Sequence, residues 1–186
     1  MNRFQVEKTK LEGVWCIERS IMTDDRGFLS RIFCADTFSA IGWDWPIAQI
    51  NHAFTAKSGT VRGMHYQNPP HSEAKFVSCL RGSIWDVAVD LRKDSPTFLK
   101  WTAHHLSADN RRALLIPPGF AHGFQSLEDG AELLYLHSHP YVANADAGLN
   151  PQDPKLSISW PAPITLLSDK DRQQPHLLPS FQGLTL

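Results

Sequence analysis

Two of the chain's nine histidines stand in contexts unlike the others. His65 ends the run Arg62-Gly63-Met64-His65-Tyr66, and His122 sits in Pro117-Pro118-Gly119-Phe120-Ala121-His122-Gly123-Phe124. An imidazole can serve as a base near neutral pH, and neighbouring glycines let the backbone approach a ligand closely. Each histidine reads equally as a packed ring whose nitrogens are satisfied by neighbours. Lys75 falls inside Ala74-Lys75-Phe76-Val77-Ser78-Cys79-Leu80 and shares a face with Val77 and Cys79. It either snorkels at a sheet rim or places an ammonium in a pocket. In a pocket it could stabilise an oxyanion, with Asp86 or Asp90 on the next strand offsetting its charge. By themselves, Tyr135 in Glu132-Leu133-Leu134-Tyr135-Leu136 reads as core filling and Asp171 as a turn acid.

The elements that must position these groups are strands. Thirteen prolines and eleven glycines punctuate segments rich in Val, Ile, Phe, Trp and Thr. The clearest strand is Ser83 to Leu91. Trp85, Val87, Val89 and Leu91 take one parity; Ile84, Asp86, Ala88 and Asp90 take the other, a face suited to solvent or to a polar barrel lumen. Further strands are expected over Gly27 to Phe33, Ile47 to Phe54, Thr60 to Tyr66, Lys75 to Leu80, Phe98 to His105, Ala113 to Ile116, His122 to Leu127 and Glu132 to His137. Their intervals suit a sandwich or barrel. One helix is expected, over Thr37 to Ile41, capped by Asp36 and stopped by Gly42. The proline-punctuated tail after Trp160 is expected to wrap the domain as irregular chain.

The 186 residues suit one domain, 1–186. A formal charge of −1 gives no bulk attraction to nucleic acid or anionic lipid, and the apolar stretches fall short of a membrane-spanning helix. Cys16, Cys34 and Cys79 are odd in number and far apart, which suggests neither a disulfide framework nor a zinc knuckle. Met1 to Val6 shows no secretory pattern, so a reducing, cytoplasmic setting is expected.

Gly59 followed by His65, and Pro117-x-Gly119-x-x-His122, have the spacing of the two cupin motifs. Metal cupins usually carry a second histidine two positions after the first, where this chain has Gln67. With only His71 or Glu73 as extra donors, a metal-free cupin is the better reading and a metal-dependent dioxygenase or isomerase the alternative.

More specifically, the chain resembles the dTDP-4-dehydrorhamnose 3,5-epimerase family. The matching stretches run in order from Leu11-Glu12-Gly13-Val14 to Leu167-Ser168-Asp169-Lys170-Asp171. Between them lie Asp25-Arg26-Gly27-Phe28, Gln49-Ile50-Asn51-His52, the His65 and Lys75 runs, Asp86-Val87-Ala88-Val89-Asp90-Leu91-Arg92, Ser95-Pro96-Thr97-Phe98 and the His122 run. The resemblance implies an all-β cupin jelly-roll barrel (a double-stranded β-helix with a few short helices), homodimeric and without cofactor or metal. It acts on a nucleotide diphosphate-linked 4-keto-6-deoxyhexose, inverting C3 and/or C5 through an enolate. It further implies His65 as general base, Asp171 as its orienting carboxylate, Lys75 facing the C4 oxygen and Tyr135 as proton donor on the opposite face. Arg62, His122, Asn51, Gln49 and Tyr141 would line the same pocket. In the family the N-terminal strands reach the neighbouring subunit, which would bring Arg26, Phe28 and Arg31 to the partner's nucleotide.

The chain departs from the family pattern at two positions. Pro140-Tyr141 stands where adjacent tyrosines are common, and Arg31 where many thymidine-nucleotide members carry glutamate. A carboxylate can accept the thymine N3 hydrogen, whereas arginine only donates, which suits the acceptors of cytosine. The competing possibility is that Arg31 turns to a phosphate or solvent and the base remains thymine. A cytidine diphosphate sugar and a single-centre 3-epimerase are thus the close alternatives.

Overall fold

The computed structural model describes residues 3–186; Met1 and Asn2, the start of the segment searched for a leader, lie outside the described residues. The strands are β1 (Phe4–Lys8), β2 (Trp15–Arg19), β3 (Ile21–Asp24), β4 (Gly27–Ser30), β5 (Gln49–Thr55), β6 (Val61–Gln67) and β7 (Lys75–Arg81). After them come β8 (Ser83–Asp90), β9 (Trp101–Ser107), β10 (Arg112–Ile116), β11 (Phe120–Ser126), β12 (Ala131–His137) and β13 (Asp146–Gly148). The helices are short, α1 (Ala35–Ser39) and α2 (Asp169–Arg172).

Two antiparallel sheets carry the site. One has the order β1-β2-β10-β7-β12-β5 and the other β13-β6-β11-β8-β9, while β3 and β4 form a separate hairpin. This is the all-β jelly-roll barrel expected of a cupin. Its interior is filled by Val77, Cys79, Ile84, Ala88, Leu106, Leu114, Phe124 and Leu133, drawn from both sheets. Ile84 and Ala88 therefore place the acidic face of β8 in the lumen, and Asp86 and Asp90 are fully buried. The opposite face of β8 is covered as well: Val87, Val89 and Leu91 pack against Leu149, Leu156, Leu177 and Leu184. Burying an aliphatic side chain contributes about 2 kcal/mol, enough for a mostly irregular tail to stay wrapped over the sheet.

Several boundaries differ from expectation. The helix starts two residues earlier, with Cys34 rather than Asp36 at the N-cap. Phe38 sets that register, because it is fully buried and meets Phe4 and Phe76 edge-on at 5.2 and 5.0 Å. The strand expected from Phe98 begins at Trp101, since Leu99 turns the chain with φ of 60°. The segment expected from Gly27 to Phe33 ends at Ser30. Strands β1 to β3, strand β13 and helix α2 were not anticipated.

At the centre of the second sheet, β6 pairs with β11 so that His65 lies opposite His122, followed by a register shift between His122 and Phe124. Glycine makes this approach possible. A Cβ at Gly63, where φ is +132°, would stand 2.5 Å from the Gly123 Cα.

Candidate active site

The two sheets enclose one side of a cavity of about 660 Å³, within the range of small-molecule sites. Its lining includes His65, Lys75, Tyr135, Asp171, Arg62, His122, Asn51, Gln49 and Tyr141. Nine of the twelve residues singled out in the sequence thus converge on one space.

His65 projects from β6, and its Nε2 lies 2.5 Å from Asp171 Oδ1. A carboxylate only accepts, so Nε2–H donates and Nδ1 is left as the unprotonated nitrogen. Asp171 reaches this place from the tail: Ser168 caps α2, its Oγ accepting from the Asp171 N–H at 3.0 Å, and the Gly63 N–H donates to Asp171 Oδ2 at 3.4 Å. Burial pushes the Asp171 carboxyl up, but the His65 bond and charge, helped by Ser168 and Gly63, outweigh it and hold the carboxyl below its ordinary range.

Lys75 begins β7 in the opposite sheet. It is buried rather than snorkelling, with Nζ 3.0 Å from Glu73 Oε1 and donating to the His65 carbonyl at 3.1 Å. The expected counter-charges are corrected here. Asp86 is bound to His122 Nε2 at 2.7 Å and Asp90 to Arg92, Ser95 and Thr97, so Glu73 supplies the compensating carboxylate. Gln67 Nε2 steadies the other Glu73 oxygen at 3.2 Å. Among the described residues, no group of three or more His, Cys, Asp and Glu is arranged to hold a metal ion.

Tyr135 projects from β12, beside Lys75's strand, while His65 and His122 face it from the other sheet. Its ring packs against the interior cluster and meets the His122 ring edge-on at 5.9 Å. Its hydroxyl has no hydrogen-bond partner among the described residues, unlike the carbonyl-tied phenol of a core tyrosine. Burial first, and the Asp86 charge second, push this phenol well above 10. It holds its proton at neutral pH.

Arg62 donates from Nε to Thr55 Oγ1 at 3.1 Å and from Nη2 to the Phe54 carbonyl at 3.0 Å, which fixes the guanidinium at the cavity wall. Tyr141 stands at the mouth, its hydroxyl donating to Asp146 at 3.3 Å. Arg26, Phe28 and Arg31 lie elsewhere, on or just after the β3–β4 hairpin, and Arg31 borders a separate small cavity with Arg3, Ser20, Met22 and Leu29. Sequence reasoning missed His137 and Lys170, which also line the main cavity. His137 was discoverable, because it sits two residues after Tyr135 on the same strand and hence the same face.

A family model described as dTDP-4-dehydrorhamnose 3,5-epimerase matches residues 8–178. The dTDP-4-dehydrorhamnose 3,5-epimerase of Shigella flexneri is 43% identical over 89% of this chain and 92% of its own length. A dTDP-4-dehydro-6-deoxyglucose 3-epimerase of Streptomyces bikiniensis is 39% identical, covering 93% of each chain. Among solved structures, the Bacillus anthracis dTDP-4-dehydrorhamnose 3,5-epimerase with TDP and PPi bound aligns with a TM-score of 0.88 at 40% identity, over 94% of this chain and 99% of that one. With sequence and architecture in agreement over most of its length, this chain belongs to the dTDP-4-dehydrorhamnose 3,5-epimerase family.

Proposed function

We propose that this protein epimerises a thymidine diphosphate-linked 4-keto-6-deoxyhexose at C3 and C5, as in the conversion of dTDP-4-dehydro-6-deoxy-D-glucose to dTDP-4-dehydro-L-rhamnose. One observation carries the reading: a carboxylate-bound imidazole on one sheet faces a phenol and an ammonium on the other across a single cavity. C3 and C5 both flank the C4 ketone, so their protons are acidified. His65 Nδ1 takes a proton, and the C–H electron pair moves into the C4 carbonyl to form an enolate. The Lys75 ammonium stabilises the new oxyanion, and Tyr135 returns a proton to the carbon from the opposite face. Solvent exchange resets both groups. Arg62 and, at the mouth, Lys170 suit the diphosphate. This chemistry calls for neither a redox group nor a metal.

The test is the 4-keto substrate in heavy water. Deuterium is expected at both C3 and C5; deuterium at C3 alone would make the protein a single-centre epimerase, and none at either carbon would refute the assignment.

The exposed hairpin supports a homodimer. A two-stranded ribbon is marginal by itself, yet here it exposes Phe28 by 70% and Leu29 by 64%. A second copy covering it would receive Arg26, Phe28 and Arg31 beside its nucleotide. Parallel titrations with dTDP and CDP, monitored by light scattering, are expected to give a mass of about two chains and tighter dTDP binding. A monomer sinks the exchange of hairpins, and tighter CDP binding transfers the substrate to the cytidine series through Arg31.

A further inference from the structure

β12 turns two rings into the cavity, Tyr135 and His137, stacked with centroids 6.0 Å apart at an interplanar angle of 22°. Because nothing described bonds the Tyr135 hydroxyl, contacts of the ring orient the phenol: the interior cluster, His122 in an edge-to-face contact and His137 stacked beside it. The sheet register fixes His137 between Lys75 on β7 and Gln49 on β5.

A run of hydrogen bonds reaches the imidazole, and its sense is set by a main-chain group that can only donate. The Tyr141 N–H donates to Gln49 Oε1 at 2.9 Å, which leaves Gln49 Nε2 to donate to Asn51 Oδ1 at 3.0 Å. Asn51 Nδ2 is then the donor to His137 Nε2 at 3.4 Å. An accepting Nε2 puts the ring's single proton on Nδ1. Protonating Nε2 would break the run and set a second cation beside Lys75. The charged and titratable groups facing the ring are Lys75 of β7, Glu73 just before it, His122 of β11 and Tyr135 of its own strand. Burial first and Lys75 next pull its pKa down to about 4, with Glu73 opposing and His122 adding to the fall.

From this geometry we infer that His137 is a positioning residue for Tyr135: locked as its Nδ1–H tautomer by the Tyr141–Gln49–Asn51 run, its ring is the wall that keeps the phenol aimed at the reacting carbon. The inference rests on the epimerase assignment and adds a group that acts through the proton donor.

Exchange into heavy water and net inversion are measured together for the wild type, His137→Ala, His137→Phe and Tyr135→Phe. In His137→Ala the ratio of exchange to inversion is expected to rise about tenfold, in the same direction as Tyr135→Phe, because His65 still removes protons while delivery across the ring falters. His137→Phe keeps a flat ring in place and should stay within about twofold of the wild-type ratio. An equal loss of both rates in His137→Ala, as general damage would give, or an unchanged ratio, overturns the inference. Nitrogen NMR of the wild type, with His137→Phe assigning the signal, should find the proton on Nδ1 and a neutral ring from about pH 5 to 8; an Nε2–H or charged ring overturns it. Absence of wild-type exchange would bring down the epimerase assignment as well, whereas the other failures leave that assignment standing.

Discussion

Replacing His65 by asparagine is expected to cut deuterium exchange at C3 and C5 by about a thousandfold, the scale of losing a positioned general base. Asparagine is too short to reach the Asp171 carboxylate that His65 Nε2 meets at 2.5 Å, but the Gly63 N–H and the Ser168 cap still hold Asp171, so the tail should remain docked. The amide cannot accept a proton at the position of Nδ1. Binding of dTDP, followed by calorimetry, should therefore survive, and near-normal exchange in the variant would remove His65 from the reaction. The pH behaviour of its partner follows from a lowered carboxyl pKa. Such a group contributes stability that is complete above the ordinary carboxylate range and is lost only as pH falls through the lowered value. Activity lost at milder acidity is not traceable to Asp171.

Lys75→Met should rank second, lowering kcat by roughly a hundred- to a thousandfold, or about 3 to 4 kcal/mol of barrier, as for an oxyanion donor. The variant also strips the partner from Glu73, whose side chain is at least as buried as that of Lys75. Breaking a buried pair costs about 3 to 5 kcal/mol of stability, so loss of the oxyanion donor must be told apart from loss of fold. The double variant Lys75→Met, Glu73→Gln separates the effects, since it removes both charges and leaves Gln67 a partner. It should melt close to wild type yet remain slow. Recovery of kcat in the double variant would show that Lys75 serves Glu73 rather than the ketone.

The chemistry was more legible than the scaffold holding it. His65 and His122 announced themselves through adjacent glycines, and the close approach of Gly63 to Gly123 is the reason those glycines are there. Parity on β8 separated the acids from the bulky face but could not say which side was interior, because both sides are covered, one by the opposite sheet and one by the tail. Asp171 looked like a surface acid because its partner lies 106 residues away, beyond any local pattern. Only resemblance paired the two. The partner of Lys75 was misjudged for a related reason: alternation along β8 pointed to Asp86 and Asp90, whereas Glu73 precedes β7 and approaches from the strand's own entry. Arg26, Phe28 and Arg31 were singled out by resemblance alone, and within one chain they lie away from the main cavity.

That the carboxylate arrives on the tail has a consequence for biosynthesis. The ribosome makes every strand, β1 through β13, before it makes Asp171. A nascent barrel can thus hold the imidazole of His65 before it holds the carboxylate that binds that ring, and the pair forms only when the segment after β13 folds back onto β6.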